Sequence, residues 1–318
     1  MKKIFLALLS ICVLHGSGHG ADRIRIGIPD LNAGAAPLPL GQKSGLFQEE
    51  GLQAEFIRIN PTVAFAALLS GELDYYTLIG PAVAAAIQGV PIKVVACYFP
   101  RNTIALIARP EFKSVKELRG KAIGLNTFGG NLELTGRLIF KHFGLDPDKE
   151  IQFLALGVTE ARFAKMKEGL IAATLGASPA DFLGKKMGFV VLARVSELFE
   201  FPTAGLVASV KKLKERPDEI KRVIKAGIKA YRYIRQNREG TIQFMAEWLK
   251  IDKEMATASY ESVLKAVNED GSLPEDGLRL VVEVAKKAAK VNRNVSLNEV
   301  ADVSILKEAQ KELGITGK

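Results

Sequence analysis

Cysteine and histidine are almost missing from this chain: two cysteines and three histidines occur in 318 residues. Cys12, His15 and His19 stand in the first twenty positions, so the rest of the chain holds only Cys97 and His142. A single thiol closes no intrachain disulfide, and a single imidazole builds no multi-histidine metal site. His142, in FKHFGLDPD, reads as a helix-end residue, where a cation complements the helix dipole, and leaves no Ser–His–Asp set to assemble. Cys97 lies in the apolar run VVACY and reads as a buried, inert thiol. No G-x-S-x-G occurs, and the glycine-rich NTFGGN from Asn126 matches neither dinucleotide nor P-loop spacing. Long apolar runs are scarce too. Ile4 to Leu14 is the longest and is too short to span a bilayer.

That run has a use of its own. Lys2 and Lys3 precede it, and Gly18 and Gly20 stand at −3 and −1 before Ala21, the pattern of a cleaved secretory signal peptide over residues 1–20. Ile11 before Cys12 argues against a lipoprotein site. The mature chain then runs from Ala21 and has 298 residues (318−20), enough for one large or two medium domains stabilised by packing. Net charge is +9, or +7 without Lys2 and Lys3. The densest basic stretch, KKLKERPDEIKRVIKAGIKAYRYIRQNR from Lys211, places Ile220, Val223, Ile224, Ile228 and Tyr231 at helical spacing and reads as a solvated helix face. No motif points to nucleic acid.

What the chain has in abundance is α/β pattern, and it writes that pattern twice. GELDYYTLIGPAVAAAIQGVPIKVVA from Gly71 returns as GLIAATLGASPADFLGKKMGFVVLA from Gly169, with Gly71 and Gly169, Pro81 and Pro179, and Ala82 and Ala180 each 98 residues apart. The match extends backward to IRIGIPDLNAGAAPLPLGQKSGLFQEEGLQAEF from Ile24 and KAIGLNTFGGNLELTGRLIFKHFGLDPDKEIQF from Lys121. Each copy reads strand, loop, helix, turn, strand. Two similar lobes with parallel sheets are expected, joined by crossings near 100–105 and 200–205, with FPTAGLVAS from Phe201 returning as a strand. Locally, a helix is expected from about Ala36 to Glu50, closed by Gly51 in the left-handed region, a helix capped by Thr62, and a Ser114–Glu117 capping box. Helices are expected over 211–215, 217–236, 240–249, 252–267, 274–291 and 302–312. Tyr75 and Tyr76 point to opposite faces of one strand, and Asp74 before them reads as a cap for backbone groups.

Ligands of open α/β sheets bind beyond the carboxyl ends of the strands. Four such loops are legible: Pro29–Pro37, Thr77–Pro81, Asn126–Asn131 and Gly176–Pro179. The candidate site residues are Asp30, Leu31 and Asn32 in the first, Ile79 and Gly80 in the second, Asn126, Thr127, Phe128 and Gly129 in the third, and Ala177 and Ser178 in the fourth. NTFGGN is the leading segment, because its glycines allow close approach and Asn126 and Thr127 carry donors. Asp30 is a candidate cation ligand or turn residue. Arg101, beside Asn102 at the first crossing, is placed at the cleft floor or between the lobes, where it pairs with a ligand acid or with protein. Apart from Arg101 these loops carry no Lys or Arg, which favours a small organic solute over an inorganic anion held by side-chain charge.

LPLGQKSGLFQEEGLQAEFI, ALLSGELDYY, GPAVAAAIQGVPIKVVA, SVKELRGKAIGL and FPTAGLVAS, in that order, resemble the periplasmic solute-binding proteins of ABC importers in the nitrate, taurine, alkanesulfonate and thiamine-precursor class. The resemblance covers nearly all of the mature chain. It implies an α/β type II periplasmic-binding-protein fold with two doubly wound lobes and a two-strand hinge: lobe 1 over 21–102 and 202–318, lobe 2 over 103–201. It implies a monomer without cofactor or catalytic activity, located in the periplasm. Such a protein takes a sulfonate-, carboxylate- or thiamine-precursor-like solute to an inner-membrane permease with its cytoplasmic ATPase. Pro202 and Thr203 match the family's return crossing, which adds Thr203 to the site. Gly-x-x-Asp is kept at Asp74, but Ala172 replaces the acid in the second copy, and GAAPLPL is rich in small residues. A related branch that makes a pyrimidine precursor uses a Cys-rich motif and histidines that Cys97 and His142 do not supply. The alternatives are a ligand-sensing domain for a membrane sensor and a secreted enzyme of the same fold using Asp30 or another carboxylate.

Overall fold

The computed structural model describes residues 21–29, 31–126, 128 and 131–315. The expected signal peptide, Asp30, Thr127 and Gly129 lie outside the described residues. Ten strands are described: β1 (Asp22–Ile28), β2 (Leu52–Arg58), β3 (Tyr75–Leu78), β4 (Ile92–Phe99), β5 (Ala105–Ala108), β6 (Ala122–Leu125), β7 (Gln152–Ala155), β8 (Ala173–Gly176), β9 (Val190–Arg194) and β10 (Ala204–Ser209). The helices between them are α1 (Pro37–Lys43), α2 (Pro61–Ser70), α3 (Ile79–Ile87), α4 (Asn131–His142), α5 (Thr159–Lys167), α6 (Ala180–Lys186) and α7 (Val195–Leu198). After β10 come α8 (Val210–Glu215), α9 (Pro217–Gln236), α10 (Arg238–Leu249), α11 (Lys253–Ala266), α12 (Glu275–Ala289), α13 (Leu297–Val300) and α14 (Ser304–Glu312).

The strands form two five-stranded sheets, ordered β2-β1-β3-β10-β4 and β7-β6-β8-β5-β9. The sequence repeat is therefore a repeat of topology. Shifting by 98 residues carries β3 (75–78) onto β8 (173–176) and Ile92, the start of β4, onto Val190, the start of β9. The same hydrogen bonds recur: Asp74 N–H donates to Arg25 O at 2.9 Å and Ala172 N–H to Ala122 O at 2.9 Å. A threonine hydroxyl of each repeat also donates to a glycine carbonyl of the next strand, Thr77 Oγ1 to Gly27 O at 3.1 Å and Thr174 Oγ1 to Gly124 O at 2.9 Å, but from adjacent positions, since the counterpart of Thr174 is Tyr76. The sheets are not purely parallel, however. β10 runs antiparallel to β3 and β4, and β5 antiparallel to β8 and β9. These are the two strands the chain enters directly after crossing between sheets, and a direct crossing reverses its direction where a helical crossover would preserve it.

Local chemistry explains the smaller departures. The helix expected to Glu50 ends at Lys43, because Gly45 takes φ 83° and Leu46 N–H returns to Gly41 O, with a separate short turn at Gln48–Glu50. Gly51 takes φ 68°, as its cap position requires. Asn60 caps α2, accepting Val63 N–H at 3.1 Å, and Pro61 occupies the first turn. At the expected capping box, Glu117 accepts Lys113 N–H and the Ser114 hydroxyl, so Ser114 donates where a box needs it to accept. The C-terminal helices fall within two residues of expectation, with the four-residue α13 in addition.

Tyr75 and Tyr76 do face opposite ways, into separate apolar clusters on the two sides of the first sheet. Tyr75 Oη donates to Glu219 at 2.8 Å, and Lys212 bridges Glu219 and Asp74 at 2.7 and 2.5 Å. Asp74 also accepts Arg25 N–H at 2.7 Å, tying the start of β3 to β1. Cys97 is fully buried and free, and burial pushes its thiol far up. The crossings lie side by side, with Phe201 N–H on Pro100 O at 2.8 Å and Thr203 N–H on Phe99 O at 2.9 Å. Among the described residues no helix is long and apolar enough to cross a membrane.

Candidate functional site

The carboxyl ends of both sheets open onto one cavity of about 1150 Å³. The first sheet contributes Ile28, Pro29 and Leu31–Ala35 after β1, and Thr77 and Leu78 at the end of β3. The second contributes Asn126 after β6, Asn131 and Leu132 at the start of α4, and Ala177 and Ser178 after β8. Asn102–Ile104 and Thr203–Gly205 line it from the two crossings, and Leu38, Phe99, Tyr231 and Val263 extend its apolar wall. All four loops legible in the sequence therefore converge.

The individual residues divide. Leu31, Asn32, Asn126, Ala177, Ser178 and Thr203 line the cavity. Ile79 and Gly80 do not. Ile79 is buried in the core with its N–H on Thr203 O at 3.0 Å, so the second loop presents Thr77 and Leu78 one turn earlier. Phe128 is 57% exposed and outside the lining. Arg101 is also outside it, 3.5 Å from Glu200, so its ion pair links the two crossings. Its neighbour Asn102 takes the inward position. Asn102 is buried, its Oδ1 accepts Ile104 N–H at 2.8 Å, and its Nδ2 has no hydrogen-bond partner. Ser178 Oγ is likewise buried and unpartnered.

A fifth loop, Gly157–Arg162 after β7, also lines the cavity. The rule that found the other four applies equally to β7, and GVTEAR following the expected strand was the available signal. This loop corrects the expectation of a wall without Lys or Arg. Arg162 is only 3% exposed, and its guanidinium donates to Thr174 Oγ1 at 3.0 Å, Gly157 O, Thr159 Oγ1 at 3.1 Å and Leu175 O at 3.3 Å. Every one of these acceptors is neutral. Burial pushes the guanidinium below its ordinary value, partly offset by the Glu160 carboxylate at the cavity rim. Among the described residues no cluster of three or more metal-ligating side chains occurs.

Two sheets of this order with a shared cavity between their carboxyl ends make the fold of periplasmic binding proteins. The periplasmic aliphatic sulphonate binding protein SsuA from Escherichia coli matches with TM-score 0.75 at 16% identity, over 88% of this chain and 92% of its own. The periplasmic nitrate-binding protein NrtA from Synechocystis PCC 6803 matches with TM-score 0.70 at 14% identity, over 93% and 90%. A protein of Brucella abortus (strain 2308) that carries only the provisional name of binding protein is 27% identical over 259 residues, 79% of this chain and 80% of its own. A family model described as NMT1/THI5 like matches residues 32–240, more than half of the chain, and the chain belongs to that family.

Proposed function

We propose that the chain is the solute-binding component of an ABC importer, capturing a small organic solute without chemical conversion and presenting it to a membrane permease. The observation that carries this reading is the cavity of about 1150 Å³ lined jointly by both sheets and both crossings. A site shared by two bodies is assembled when they close on a ligand and dismantled when they part. The bodies are residues 21–102 with 202–318, and 103–201, moving about the paired crossings. Leu31, Asn32, Thr77, Asn102, Asn126, Ser178 and Thr203 face the solute. The periplasm, reached through removal of residues 1–20, is the compartment this role requires, and the partner is an inner-membrane permease with its ATPase.

A thermal-unfolding screen against sulfonates, nitrate, aromatic carboxylates, amino acids and thiamine precursors tests the reading. A ligand at a hundred times its Kd adds about 2.7 kcal/mol of stability, visible as a raised midpoint. Small-angle scattering with the same ligand is expected to show a smaller radius of gyration. Turnover of a bound compound, or silence across every group, counts against solute delivery.

A further inference from the structure

We propose that the two lobes part on one flank only, and that the Lys186–Glu254 ion pair is the latch holding that flank shut, so that residues outside the cavity set how readily it opens. This rests on the solute-binding reading above and adds the control of its closure. The two flanks are joined differently. On one, a single apolar cluster runs without a break from the first sheet into the second: Tyr76, Val94 and Leu278 belong to it, and so do Leu106, Ile139 and Leu175. On the other, each lobe has a cluster of its own, with Ile26, Tyr75 and Tyr260 in the first and Ile107, Phe163 and Phe189 in the second. Parting the lobes on the first flank tears a shared core and exposes it to water. Parting them on the second leaves both cores whole, so that is the side that opens.

This second flank is bridged by charge. Lys186, at the end of α6, meets Glu254 in the first turn of α11. α6 packs on the Phe163 cluster through Ala180, and α11 on the Tyr75 cluster through Tyr260 and Val263, so the pair joins the two faces that share no core. The Lys186 ammonium also stands 5.1 Å from the centroid of the Phe182 ring, one turn back on α6, which restricts the side chain. The pair has leverage. α11 ends against the first crossing, where Arg101 N–H donates to Ala266 O at 3.4 Å, and Glu254 lies twelve residues back (266−254), about 18 Å along the helix. A rotation about the crossings therefore displaces Glu254 far more than it displaces the crossings themselves. With 45% and 62% of the two side chains exposed, the pair is weak and open to salt, which suits a latch that biases the balance without locking it. The apparent affinity for a solute scales with the fraction of molecules in the competent arrangement, so the latch acts on capture without touching the solute. A second ion pair between the lobes, Lys287 of α12 with Asp148 at 3.8 Å, lies on the flank with the shared core and serves as the control.

Pulsed electron-resonance distances between spin labels at Met187→Cys and Gln243→Cys, exposed positions on α10 and just after α6, test this in the mature chain, residues 21–318, without solute. Cys97 is buried and takes no label. Lys186→Glu is expected to shift the population to longer distances, lowering the ratio of shut to open molecules about twofold to fivefold, and salt at about 1 M is expected to do the same to the unchanged pair. The exchanged pair, Lys186→Glu with Glu254→Lys, is expected to restore the original distribution, which a fault in folding would not do. Lys287→Glu is expected to leave it in place. A distribution unmoved by Lys186→Glu, no recovery in the exchanged pair, or an equal response to Lys287→Glu overturns the latch. Because no solute is present, these outcomes are independent of the ligand screen: a chain that obeys the latch and binds nothing overturns solute delivery alone.

Discussion

Tyr98 and Gly227 show how tightly single residues are fitted around the first sheet. The Tyr98 ring stacks on Tyr231 with centroids 4.7 Å apart, and its buried hydroxyl has no hydrogen-bond partner. A Cβ on Gly227 of α9 would run into that hydroxyl and ring. Tyr98→Phe removes a desolvated, unpaired group and is expected to stabilise the protein by about 1 kcal/mol in urea unfolding. Gly227→Ala is expected to destabilise by about 1–3 kcal/mol despite alanine's better helix propensity, because the ring has no room to shift. The double variant should recover part of that loss, a coupling that a thermodynamic cycle measures. Such fits are invisible in a sequence, whereas Cys97, Asp74 and the tyrosine pair were legible because their neighbours in the chain determine their surroundings. Arg162 was not: its meaning depends on lying beside β8, and nothing within GVTEAR says that its partners will all be neutral.

Elements inside the repeat were legible, as were β10 and the C-terminal helices outside it, whereas β5 was not. The repeat marked β3, β4, β8 and β9 through recurring glycines, prolines and apolar runs. β5 is four residues, ALIA, all buried, with neither alternation nor a repeat partner nearby to reveal it. Its counterpart is β10, 99 residues later (204−105) and in the other sheet, so the correspondence follows fold and not chain order. Caps carried a similar ambiguity. Ser114 and Glu117 share the Ser-x-x-Glu spacing of Ser296 and Glu299, yet only the latter pair forms the reciprocal box, opening α13. At α2 the cap is Asn60, and Asn60→Ala is expected to lower stability by about 1 kcal/mol with no change in denaturant slope.

At the scale of the whole molecule, the tyrosines set the alkaline limit. Burial raises Tyr75, Tyr98, Tyr231 and Tyr260, and pushes Tyr76 up to about 12 from an ordinary value of 10.0. In the unfolded chain these phenols ionise near 10 while the folded ones stay protonated, so their contribution is fully present below pH 10 and is lost as pH rises toward 12. Unfolding free energy is therefore expected to fall steeply above about pH 10, in step with tyrosinate absorbance. Free energy that stays level through this range would contradict the burial of these side chains. The placement of β10 has a further consequence, for the order in which the molecule is finished during synthesis. The second sheet is complete once β9 ends at Arg194, from one unbroken stretch beginning at Ala105. The first sheet, begun earlier, keeps a gap between β3 and β4 until Ser209 has been made, because β10 sits between them. The half encoded first is thus the half closed last, because the strand that joins β3 to β4 is the last of the ten to be made.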